Sequence, residues 1–159
     1  MMAPEPASHT WGSTLRVRAE VLVTGGRTLT GFLHLQPLAL FHSGPESPED
    51  ALNRDEAFFP LTSENQTMFL AKSQVIAVTV NSVLPVRDID RVEAARTLGM
   101  QVELSDGSEF VGAVTSELPP DRGRVLDYLN HATGFFCLVD QDAMRFVNRL
   151  HVRLVTPLD

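Results

Sequence analysis

Residues 50–61, DALNRDEAFFPL, return further along the chain as residues 127–138, DYLNHATGFFCL. An acid, a leucine, an asparagine, a phenylalanine pair and a closing leucine recur at one spacing: Asp50 with Asp127, Leu52 with Leu129, Asn53 with Asn130, Phe58 and Phe59 with Phe135 and Phe136, Leu61 with Leu138. The same offset continues through Phe69 and Phe146, Val75 and Val152, Val78 and Val155, and Thr79 and Thr156. Duplication of one small unit explains the correspondence, and it restricts the chain to folds in which that unit packs twice.

Upstream the offset lengthens, so that Val21 meets Val102, Gly26 meets Gly107 and Gly31 meets Gly112, while Leu29 faces Phe110 and Leu33 faces Val114. The change in length falls between Leu35 and Pro48, in a stretch rich in Pro, Gly and Ser. Surface connections tolerate such changes. The resulting division is a tail over 1–13, a first unit over 14–81, a linker over 82–96 and a second unit over 97–159.

Each unit opens with period-two alternation. Val17, Ala19, Val21 and Val23 share one face of the first strand, and Met100, Val102 and Leu104 share one face of its counterpart. Gly25-Gly26 and Asp106-Gly107 supply the positive φ that tight hairpins require. The second strands, RTLTGFLHL and SEFVGAV, hold a glycine at one register in both units, as the sharp coiling of a small barrel demands. Ser47, Pro48 and two acids then announce a short helix, and RVLDYLNHATG reads as a second one ending at Gly134. AFFPL and GFFCL follow as third strands, TMFLA and MRFVN as fourth, QVIAVTV and HVRLVTP as fifth. The expected fold is mainly β: two tandem small five-stranded antiparallel barrels, each with a short helix after its second strand.

With 43% apolar and 21% charged residues the composition is globular. Thirteen Lys and Arg against 20 Asp and Glu leave a net charge of −7, which repels polyanions at long range and makes nucleic acid an unfavoured partner. No window has the length and apolarity of a membrane span, and MMAPEPASHTWGS lacks the basic and apolar regions of a leader, so a cytoplasmic location is expected. Cys137, the sole cysteine, has no partner for an internal disulfide and reads as a small apolar side chain at the position of Pro60. The histidines show no ligand spacing, and no phosphate loop, nucleophile elbow or dinucleotide fingerprint occurs. No metal, no cofactor and no catalytic residue is therefore assigned.

Features shared by the two units, namely Asp50, Asn53, Phe58, Phe59, Asp127, Asn130, Phe135 and Phe136, read as structural, with the phenylalanine pairs in the core. Lys72 aligns with Arg149 as Asp50 aligns with Asp127, so an ion pair in each unit is expected, worth about 0–1 kcal/mol if exposed. Features that differ are the candidate binding residues: Phe41 and His42 on the longer loop of the first unit, and Arg145, Arg149 and Arg153 of the second. In the first unit's last strand, Val75, Ile76, Ala77, Val78 and Val80 are apolar on both faces. Such a strand is expected to be buried twice, between the units or against another subunit.

The stretch VELSDGSEFVGAV, from Val102 to Val114, resembles the opening motif of Sm-like barrels, with its alternation, Asp-Gly hairpin and second-strand glycine. The chain as a whole resembles a tandem of Sm-like or SH3-type small β-barrels, a duplicated domain of bacterial type. Sm proteins carry their helix before the first strand, whereas this one follows the second, and no RNA-binding residue is carried over. A PilZ-type cyclic dinucleotide motif matches less well: Arg91 and Arg96 stand one residue too far apart, as do Ser108 and Gly112 after Asp106. The expected function is a non-enzymatic protein-interaction or scaffold module that offers loops and a sheet edge to a protein partner. The alternative is a nucleotide- or RNA-binding Sm-like or PilZ-like barrel pair that uses the arginines of the second unit.

Overall fold

A computed structural model describes residues 14–37, 44–81, 96–119 and 124–158. Ten strands follow in chain order as β1 Leu15–Val23, β2 Arg27–Leu35, β3 Phe58–Ser63, β4 Gln66–Ala71, β5 Val75–Val80, β6 Arg96–Leu104, β7 Glu109–Ser116, β8 Phe135–Asp140, β9 Ala143–Asn148 and β10 Val152–Leu158. Helix α1, Pro48–Leu52, lies between β2 and β3, and α2, Val125–His131, between β7 and β8. Short 3-10 turns, Lys72–Gln74 and Arg149–His151, lead into β5 and β10.

All strands belong to one antiparallel sheet in the order β10-β6-β7-β8-β9-β5-β1-β2-β3-β4. The sheet does not close on itself, so the expected pair of separate barrels is replaced by a continuous ten-stranded sheet. The reason lies at its centre. Strand β5 pairs with β1 of its own half and also with β9 of the other, Ala77 opposite Val147 and Val80 opposite Met144. A strand apolar on both faces has two cores to serve: Val75, Val78 and Val80 enter one cluster, Ile76 and Ala77 the other.

The pairing register of the first five strands recurs in the last five. Ala19 faces Gly31 as Met100 faces Gly112, and Phe32 faces Thr62 as Ala113 faces Val139. Glu20 opposite Thr79 has its counterpart in Gln101 opposite Thr156, and both ladders shift just after their 3-10 turns. The second-strand glycines have a shared physical cause. A Cβ on Gly31 would sit 2.7 Å from the Thr62 carbonyl oxygen, and one on Gly112 would sit 2.6 Å from that of Val139. Each glycine lets the third strand of its half cross hard against the second.

Ser47 caps α1: its hydroxyl accepts from Asp50 N at 3.1 Å, and the Asp50 carboxylate accepts from Ser47 N at 3.0 Å. Asp127 likewise accepts from Arg124 N at 3.4 Å at the start of α2. Helix α2 stops at His131, before Gly134. That glycine, at φ +65°, leaves room for Asn53, whose side-chain oxygen a Cβ would strike.

Candidate functional site

The three expected arginines of the second unit are each engaged with different groups. Phe41 and His42 lie outside the described residues, as do Arg91 and residues 82–95 of the linker. Arg145 on β9 bonds Asp140 at 3.1 Å and lies 4.8 Å from the centre of the Phe110 ring. Arg149 donates to the Ala132 carbonyl at 2.7 Å. Arg153 on β10 pairs with Glu103 at 2.9 Å and donates to the Ser105 carbonyl at 2.6 Å. Each arginine is thus held by groups of its own half.

The expected aspartate ion pairs take another form. Lys72 Nζ donates to the Arg54 carbonyl at 2.6 Å, and Arg149 to that of Ala132, so each cation closes the end of its helix while each aspartate serves the start. Burial lowers the Lys72 pKa, with Glu56 nearby opposing it.

Asn53 works between the halves. It donates to the Phe135 carbonyl at 2.9 Å and accepts from Phe135 N at 2.7 Å. Asn148 donates to the Lys72 and Val75 carbonyls at 3.0 and 2.8 Å. His151 Nε2 meets the Ser73 carbonyl at 2.7 Å, which places the proton on that nitrogen and lets Nδ1 accept from Ser105 Oγ at 3.2 Å. The Ser105–His151 contact is exposed, and the imidazole clasps the joint. A groove of about 410 Å³ runs along this joint, lined among others by Asn53, Lys72, Gly134, Phe135 and Leu150.

The phenylalanine pairs divide. Phe59 and Phe136 are buried alike, but Phe135 is buried while Phe58 is exposed, so the expectation of two core pairs is corrected for Phe58. Asn130, the counterpart of Asn53, is likewise exposed. Phe135 and Phe146 pack into the core of the first half because β8 and β9 lie at the joint. Phe58 on β3 and Phe69 on β4, at one end of the sheet, remain exposed beside a second groove of about 320 Å³ that His34, Phe59 and Pro60 also line. At the other end, β10 exposes Leu154 and Leu158. Strands β4 and β10 each have a single neighbour among the described residues.

Glu46 and His34 are among the buried polar groups that escaped sequence reasoning. Glu46 receives two bonds from Arg54 and one from Gln36 N at 2.9 Å, which pins the start of α1 to the end of β2. The hydrogen bond to Glu46 is the main reason the Arg54 pKa is raised. His34 bonds Thr14 at 2.9 Å and Thr62 at 2.7 Å, and burial, then the Arg16 charge, hold its imidazole below the usual range. Neither stands in a recognisable motif, so only the fold reveals their partners.

Among the described residues, no group of three or more His, Cys, Asp or Glu is placed to hold a metal ion. None of the described helices is long and apolar enough to cross a membrane. Cys137 is half-buried opposite Phe146. Comparison of the chain with protein-family models, curated proteins and solved structures returns no match.

Proposed function

We propose that the chain is a non-enzymatic protein-interaction or scaffold module of the cytoplasm, built from a duplicated Sm-like or SH3-type unit, which binds partners by strand addition at its sheet edges. One observation carries this reading. The two end strands, β4 and β10, offer main-chain edges beside the exposed apolar side chains Phe58, Phe69, Leu154 and Leu158. Unprotected edges recruit other strands, with main-chain bonds giving affinity and alternate side chains giving selectivity.

A photo-reactive phenylalanine analogue placed at Phe69 or at Thr156, in the cells that make the protein, tests it. Protein adducts at these two positions, absent when the analogue replaces Asn65 in the β3–β4 turn, are the expected result. Absence of any protein adduct at both edges would overturn the proposal. The nucleotide- or RNA-binding alternative rests on Arg145, Arg149 and Arg153, which are already engaged within the chain. A salt-sensitive shift with RNA or a cyclic dinucleotide, lost on Arg149→Ala and Arg153→Ala, would favour it instead.

A further inference from the structure

The joint inside the molecule unites non-equivalent strands. Strand β5, the fifth of the first half, pairs with β9, the fourth of the second. A two-fold joint would pair equivalent strands; this one is head-to-tail, and it leaves the complementary pair, β4 and β10, at the two ends of the sheet. Resting on the strand-addition reading above, we propose that the partner at these edges is a second copy of the chain, whose β10 docks beside β4 in the register of the internal joint.

The internal joint gives that register residue by residue. Val78 faces Phe146 and Thr79 faces Arg145. The aligned positions set Val155 of one copy against Phe69 of the next, and Thr156 against Met68. Burial supports the match on both sides. Phe146 is 2% exposed at the joint and its counterpart Phe69 is 64% exposed; Ala77 is 2% exposed and its counterpart Leu154 is 49% exposed.

The two cores tell the same story. In the first half Leu52, Val75 and Val78 are fully covered, with Phe135 and Phe146 of the second half packed among them. Their counterparts Leu129, Val152 and Val155 are only partly buried against the second core. The flank sealed by two phenylalanines in one half is open in the other, and two exposed phenylalanines, Phe58 and Phe69, stand at the far end of the same chain. Burying such side chains is what drives association of this kind.

The copy of the joint is not complete, and this sets its strength. Ala57 and Ala71 stand where Gly134 and Asn148 serve the internal clasps, and Pro157 withdraws one donor where Val80 offers an N–H. Strand pairing over residues 154–156 and the apolar plugs carry the contact. It is therefore weaker than the internal joint and reversible on dilution.

Sedimentation of the purified intact chain tests the proposal. The expected species is a multiple of 17.5 kDa that falls toward 17.5 kDa on dilution. Phe69→Asp and Leu154→Asp alter exposed side chains, so circular dichroism should remain native. Each variant alone should sediment at 17.5 kDa, yet an equimolar mixture should recover a two-chain species, since one supplies an intact β10 and the other an intact β4. Wild-type chain that stays at the single-chain mass throughout the micromolar range overturns the proposal, as does self-association that survives in either variant alone. If the wild type is monomeric while photo-adducts with another protein form at Phe69 or Thr156, strand addition stands and self-pairing falls. If both are absent, both readings fall.

Discussion

Gly31 and Gly112 show how much one missing carbon decides. Each admits a carbonyl oxygen of the neighbouring strand into the space that a Cβ would fill. Alanine at either site should destabilise the fold by about 1–3 kcal/mol through forced backbone shifts, read by urea denaturation. Glu46→Ala removes the closer carboxylate of the Arg54 guanidinium and leaves the Gln36 N–H unpaired, and should cost about 2 kcal/mol in the same assay. His34 supplies a pH dependence. Its folded-state pKa lies below the ordinary imidazole value of 6.5, so the unfolded chain binds the proton more readily. Its contribution is complete above that value and is lost as pH falls through the window beneath it. Denaturation midpoints compared on either side of pH 6.5 should show a drop on the acid side that His34→Gln reduces. The glycines were legible because a strand-interior glycine at one register in both units requires a cause. Glu46 and His34 were not, since a lone acid in a Pro- and Ser-rich loop and a lone histidine in a strand name no partner.

At the scale of elements, β5 is the strand on which the two halves depend. Its residues are divided between the two cores, so a substitution there should be felt across the molecule. Ile76→Ala should cost about 2–5 kcal/mol. Although Ile76 belongs to the first half, amide exchange should speed up in β8 and β9 of the second, where Phe136, Leu138 and Val147 share its cluster. Unchanged protection in those strands would contradict the role assigned to β5. Double burial of this strand could be read from its unbroken apolar run. Its partner could not, because β9 and β4 have similar apolar content and only the sheet order distinguishes them. The helices are a smaller case: the start of α1 was legible from Ser47, Pro48 and the acids, but Gly134, which resembles a stop for α2, makes room for Asn53 instead.

For the molecule as a whole, the joint rather than the connecting segment should hold the halves together. A protease site engineered into residues 82–95 and cleaved to completion should yield two fragments that co-elute until denaturant is added. The clasps of Asn53 and Asn148 and the burial of Phe135, Phe146, Ile76 and Ala77 are made by residues outside that segment and should persist without chain continuity. Separation of the fragments under native conditions would show that the tether, not the joint, is responsible.

Alternation, turn glycines, cap residues and the repeated phrase determined, by local chemistry alone, where strands and helices form and which residues share a register. Only the tertiary structure decided that the two units merge into one open sheet, and that identical phenylalanines end in opposite surroundings, Phe135 buried and Phe58 exposed. The physical reason is that a strand edge and an apolar face are the same object in both copies. Whether they are satisfied depends on what lies across from them, which the chain records nowhere along its length.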